Sequence, residues 1–246
     1  MSRSTFERIV SRAMAALAVA AICVIPLAWA ADPSAALLGS PVRSAKDQAQ
    51  DASRKPLELL KFAQVKPGMQ VLDVASGGGY TAQVLALAVG PTGKVWAQVA
   101  KPSPALEARL AANPQPNLVI LNQPFETLLP ADAPRVDLIT LILSYHDIVN
   151  TPVDRAKMNK AMFDALKPGG HLVLIDHATK PGAGTSVTST LHRIDEKTVR
   201  DEVTAAGFRV EADSDAWRNP ADPREEHWSK MTIPTDHFAL RFVKPQ

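Results

Sequence analysis

The chain has 246 residues, 46% of them hydrophobic and 21% charged, with 27 basic against 25 acidic side chains. Residues 1–30 hold three of the basic residues and one acidic residue, so the remainder is balanced at 24 to 24 and has no basic surplus pointing to a nucleic-acid partner. The one cysteine, Cys23, lies in the same stretch, so the rest of the chain can form no disulfide, zinc-thiolate site or cysteine nucleophile.

"MSRSTFERIVSRAMAALAVAAICVIPLAWA" predicts an export signal. Arg3, Arg8 and Arg12 give a positive start, Ala13 to Leu27 an apolar stretch too short for a comfortable span, and Ala28-Trp29-Ala30 a small-x-small cleavage site. A lipoprotein is not expected, because Ile22 stands before Cys23 where a small residue is needed. Cleavage would leave a periplasmic or secreted protein beginning at Ala31; the alternative, an uncleaved signal, would be its one contact with a membrane. Its roughly 216 residues suffice for a single core.

A polar segment, 31–54, is expected to precede a domain at 55–246. Leu57, Leu60 and Val65 recur at helical spacing and stop at Lys66-Pro67-Gly68. Short apolar runs then alternate with amphipathic stretches: "MQVLDVA", "YTAQVLALAVG", "KVWAQVA", "SPALEARLAAN", "NLVIL", "VDLITLILS", "DRAKMNKAMFDALKPGG" and "HLVLID". Continuous apolar strands are buried on both faces, which predicts a doubly wound α/β domain with helices on both sides of a mostly parallel sheet. Thr151-Pro152 is expected to open a helix packed through Met158, Met162, Ala165 and Leu166, with Pro168-Gly169-Gly170 ending it. Val199, Val203 and Ala206 form another buried stripe, and "FRVEADSDAW" and "HFALRFVK" predict an antiparallel strand pair at the sheet edge.

The residues after the first strand, "LDVASGGGYTAQVLA", put three glycines where an α/β sheet brings backbone close to a ligand. Gly77 and Gly79 would let the main chain approach with no Cβ in the way. Gly77-x-Gly79-x-x-Ala82 also satisfies a loose dinucleotide fingerprint, leaving a nicotinamide oxidoreductase as an alternative.

"VKPGMQVLDVASGGGYTAQVLA", "VDLITLILSYHDI" and "ALKPGGHLVLID" together resemble the class I S-adenosylmethionine-dependent methyltransferases, in order and spacing, over roughly residues 55–245. The resemblance implies a Rossmann-like fold, S-adenosylmethionine as cofactor and a methyl acceptor, expected to be a small molecule. It implies that Asp73 and the backbone around Ser76, Gly77 and Gly79 hold the amino-acid end of the cofactor, with Tyr80 and Thr81 lining the turn and Tyr145 nearby. Ala75 replaces the motif's first glycine, at little cost if its φ is negative. Where the family ends strand 2 with an acid for the ribose hydroxyls, this chain has Val99, so Gln98 is the candidate substitute; Asn122 and Gln123 are available for the adenine.

Methyl transfer requires a positioned acceptor and, for a hydroxyl or protonated amine, removal of a proton. Tyr145, His146 and Asp147 end the fourth strand, Asp176 and His177 the fifth, and "LHRID" adds His192, Arg193 and Asp195. His146 is the expected base, with Asp147 or His177 beside it, and Trp217, Trp228 and Tyr80 are candidate acceptor contacts. Asp147 and Asp195 are equally suited to capping the helices that follow. The spacing of these residues matches no compact metal-ligand motif, so no metal is expected. Export away from the cellular source of the cofactor leaves a second function class open, a binding module on a methyltransferase scaffold.

Overall fold

A computed structural model of the protein describes residues 33–130 and 132–246; the expected signal, 1–30, lies outside the described residues. Strands β1 (Gln70–Val74), β2 (Lys94–Val99), β3 (Leu118–Asn122), β4 (Val136–Ile142) and β5 (Leu166–His177) are parallel, while β6 (Arg209–Asp213) and β7 (His237–Val243) pair antiparallel. The sheet order is β3-β2-β1-β4-β5-β7-β6. The antiparallel pair expected at the edge is present, with β7 inserted between β5 and β6.

Side-chain alternation along the inner strands builds two cores. Leu72 and Val74, Ile139 and Leu141, and Leu172 and Leu174 face one way; Val71, Leu138, Val173 and Ile175 face the other. Each such side chain contributes about 1.5–3 kcal/mol on leaving water. Helices α1 (Pro33–Leu38), α2 (Ala45–Gln48), α3 (Asp51–Arg54) and α4 (Pro56–Phe62) precede the sheet, and α5 (Tyr80–Val89) and α6 (Pro104–Ala112) follow β1 and β2. Helices α7 (Tyr145–Val149) and α8 (Arg155–Ala165) join β4 to β5, and α9 (Thr188–Leu191) and α10 (Glu196–Ala205) join β5 to β6. Leu59, Leu85 and Leu106 of α4, α5 and α6 fill one core, and Ile148, Met162 and Val203 of α7, α8 and α10 the other.

Three local expectations are corrected. The helix expected through Leu57, Leu60 and Val65 up to Lys66 ends at Phe62, and Gln64 turns with φ 53°, so Val65 lies beyond it. The cap of α8 is Asp154, whose side chain accepts from the Lys157 backbone, rather than Thr151. That helix ends at Ala165, and Leu166-Lys167-Pro168-Gly169-Gly170 is already strand: the Gly169 backbone donates to Lys244 O at 2.9 Å and Lys244 donates to Gly170 O at 2.9 Å. Residues 33–54, polar in sequence, lie in the same compact unit as the sheet.

Candidate active site

Strand β1 delivers Asp73 to the sheet end, where the chain turns. Its carboxylate accepts from Ser76 Oγ and Thr140 Oγ1, each at 2.6 Å. Burial pushes this carboxyl up to about 6, against the two donors that favour its ionised form. Gly77 turns with φ 55° and a Cβ there would meet nothing closer than Ala75 O at 4.0 Å, so the backbone is open to a ligand. Above the turn is a cavity of about 620 Å³ lined by Asp73, Ser76, Gly77, Tyr80 and Thr81 and, from the N-terminal segment, Asp47 and Arg54.

That segment is tied down by charge. Arg43 donates to both oxygens of Asp51 at 2.8 and 2.5 Å, and Tyr80 OH donates to Asp51 at 2.6 Å. Arg109 of α6 reaches Asp47 at 2.5 and 2.9 Å and donates through Nε to Gly78 O at 2.6 Å. The segment, α6 and the glycine turn therefore form one hydrogen-bonded frame, and charged groups in such a frame bond more strongly than neutral ones.

A second cavity of about 470 Å³ adjoins the first, sharing Gln50, Arg54 and Leu143 as wall. His146, Asp147, His177, Trp217, Trp228 and His237 line it. Leu143 adopts φ 55°, a strained conformation for a branched side chain, where the chain leaves β4.

His146, only 1% exposed, is gripped by Asp176: its Nδ1 lies 2.6 Å from Oδ1 and its backbone N donates to Oδ2 at 2.9 Å. Burial opposes the charged imidazolium, but the carboxylates of Asp147 and Asp176 outweigh it and raise the group to about 9. On the other edge, Nε2 lies 3.3 Å from Asp147 Oδ1, and the same oxygen is 2.7 Å from His192 Nδ1. Burial and the neighbouring His237, His146 and Arg193 hold His177 down to about 2, so it is neutral; it stacks on Trp228 with ring centroids 5.6 Å apart.

A methyltransferase-domain family model matches residues 72–174, the stretch from β1 into β5 that carries both the glycine turn and His146. Residues 72–174 of the chain therefore carry a methyltransferase domain. Its fold is similar to that of a SAM-dependent methyltransferase from Aquifex aeolicus, at 21% identity and TM-score 0.60, over 87% of this chain and 99% of that one. An arsenic(III) S-adenosylmethionine methyltransferase from Chlamydomonas reinhardtii is similar at 19% identity and TM-score 0.51, over 74% of this chain and 65% of that one. So is the [4+2]-cyclase SpnF, at 15% identity and TM-score 0.60, over 80% and 82%. These likenesses are likenesses of fold.

S-adenosylmethionine is the cofactor of this methyltransferase family, and the glycine turn lies where the sequence led one to look. Several residues do other work. Gln98, the candidate ribose contact, is fully buried; its Oε1 accepts from Ala75 N at 2.9 Å and its Nε2 donates to Gln123 O at 2.6 Å, so it braces the turn from behind. Gln123 serves that brace through its backbone. Tyr145 is buried in the core, donating to Glu202 at 2.6 Å and accepting from Asn159 at 2.9 Å. Gln98, Gln123 and Tyr145 are not among the described residues lining the cavity above the glycine turn.

Ala75 has φ 55°, so the negative-φ premise for a cheap glycine replacement fails. Gly79 is buried, and a Cβ on it would collide with Leu106 Cδ1. Val99 is buried in the core and presents no acceptor. Arg193 is committed to Asp222 at 2.7 Å and to Ala178 O at 3.0 Å, and Asp195 caps α10 by accepting from Lys197 N at 3.0 Å. His192 joins the His146 edge. Missed in the sequence were Asp47, Asp51 and Arg109: they come together only when the N-terminal segment folds over the turn.

Proposed function

We propose that the protein is exported and transfers the methyl group of S-adenosylmethionine to a small, flat acceptor. The donor lies against Asp73 and Gly77, and the acceptor occupies the adjoining cavity, between Trp228, His177 and Trp217. The observation that carries this reading is the common wall of the two cavities, Gln50, Arg54 and Leu143, which brings donor and acceptor chambers side by side. Aromatic walls favour a flat acceptor because ring faces stack. Asp176 fixes the ring of His146, and the Nε2 edge of that ring is where the acceptor's nucleophilic atom is activated. His177, neutral and stacked on Trp228, contributes shape and a hydrogen-bond site. Proximity and orientation supply the greater part of such a displacement.

Calorimetry with S-adenosylmethionine and S-adenosylhomocysteine, followed by radiolabelled methyl transfer to a panel of phenols, thiols and amines, tests this. Binding of both cofactor forms and turnover with at least one aromatic acceptor are expected. Val99 favours a second reading, a binding module that retains the scaffold, because the family's ribose-binding acid is replaced by a buried apolar side chain. Donor binding with no turnover across the whole panel would select it.

A further inference from the structure

We propose that His146, Asp147 and His192 form a site for a divalent transition-metal ion of the zinc type, opening on the acceptor cavity. This rests on the cavity assignment above, and it specifies how the His146 edge acts. The ligand atoms, one from each residue, all lie within 4.8 Å of one another. His146 Nε2 is buried, and although Asp147 Oδ1 lies 3.3 Å away it makes no well-aligned hydrogen bond among the described residues. A buried polar atom left in that state is costly unless something occupies it.

The surroundings of His146 match what a metal-binding imidazole needs. Asp176 accepts at Nδ1 and fixes the backbone N of the same residue, so Nδ1 keeps its proton and Nε2, facing Asp147 and His192, is the nitrogen whose proton a metal ion would displace. A carboxylate behind a ligating histidine orients the ring and strengthens it as a donor. Two imidazole nitrogens and one carboxylate oxygen suit zinc and its first-row neighbours, and three protein ligands leave the fourth position to a ligand from the cavity. The carboxylates of Asp147 and Asp176 balance the charge of a divalent ion. His192 is held at φ 51°, and a non-glycine residue keeps that conformation only where the surrounding fold imposes it.

In this site His146 acts by coordination rather than by taking up a proton. A hydroxyl or thiol acceptor binds the ion and loses its proton to water. The resulting anion's lone pair attacks the methyl carbon of the donor, the carbon–sulfur bond breaks, and its electron pair returns to sulfur as S-adenosylhomocysteine forms.

The test needs neither donor nor acceptor, so it stands apart from the methyl-transfer assay. The purified protein is stripped with chelator and titrated with Zn²⁺ by calorimetry, and with Co²⁺ by its visible absorption. One ion per chain is expected, with the band pattern of a low-coordinate nitrogen and oxygen site. His192→Ala and Asp147→Asn, both at partly exposed positions and each checked for fold by circular dichroism, should abolish that uptake. Asp176→Asn should weaken it by roughly 10–100-fold while the three ligands remain. Absence of stoichiometric uptake, or uptake unchanged in both ligand variants, overturns the proposal. Acceptor turnover that persists undiminished in chelator, with no ion bound, would return His146 to a purely proton-accepting role.

Discussion

Gly79 faces Leu106 of the neighbouring helix, and the space beyond its Cα is occupied by that side chain and by Arg109. Its role is therefore to let α5 and α6 pack, whereas Gly77 is exposed and open and is the glycine at which a ligand has room to approach. Gly79→Val is expected to destabilise the fold by about 2–4 kcal/mol through overpacking and positive-φ strain. Gly77→Val should instead lower S-adenosylmethionine affinity on the order of tenfold or more, equivalent to about 1.4 kcal/mol, with a smaller loss of stability. Urea midpoints and binding isotherms on both variants separate the two glycines; equal stability losses with equal affinity losses would erase the distinction.

Ala75 occupies a left-handed conformation that glycine adopts freely. Ala75→Gly should raise stability by about 0.5–1 kcal/mol, the relief of backbone strain exceeding the added entropy of the unfolded chain. Chemical denaturation measures this directly. A lower midpoint in the glycine variant would mean that the alanine methyl contributes packing worth more than the strain.

The carboxyl of Asp73, lifted by burial to about 6, links cofactor binding to pH. Its folded value lies above that of an unfolded aspartate, about 3.9, so its contribution to the stability of the cofactor-free fold is fully present below pH 3.9 and is lost as pH rises through about 6. Binding the cationic amino group of the donor requires the ionised form. Affinity should therefore fall by up to about tenfold per pH unit below 6, and the fall should vanish in Asp73→Asn, whose overall affinity is weaker. Calorimetric titration between pH 5 and 8 is the measurement. A wild-type affinity independent of pH over that range would separate Asp73 from the amino-acid end of the cofactor.

Export is checked at the N-terminus. Protein recovered outside the cytoplasm should begin Ala31-Asp32-Pro33, read by Edman sequencing or intact mass. A species that retains Ala13 to Leu27 would reverse the expectation.

The sheet was legible because burial on both faces leaves continuous apolar runs, and the period-2 split of Leu72 and Val74 from Val71 is written directly in β1. The turn itself was legible because three consecutive glycines directly after an apolar strand are visible in residue type alone. Gln98 misled because hydrogen-bonding capacity shows in a sequence but its direction does not; a strand-end amide serves the ligand or the adjacent loop depending on which face it leaves by. Gly79 and Ala75 turned on a dihedral and on a partner about 27 residues away, Leu106, neither of which local spacing encodes. The gathering of His192 with His146 and Asp147 depends on the connection after β5 folding back over α7, and separations of that length match no compact motif.

The shared wall at Gln50 and Arg54 has a kinetic consequence. If the two cavities hold donor and acceptor as proposed, the segment that carries Gln50 and Arg54 bounds both, and a displacement large enough to release one compartment would unseal the other. Exchange of spent cofactor and escape of methylated product would then draw on a single opening event. Turnover at saturation would be paced by that event rather than by the displacement at carbon, and loosening the Arg43–Asp51 latch would quicken departure while shortening the time donor and acceptor spend together.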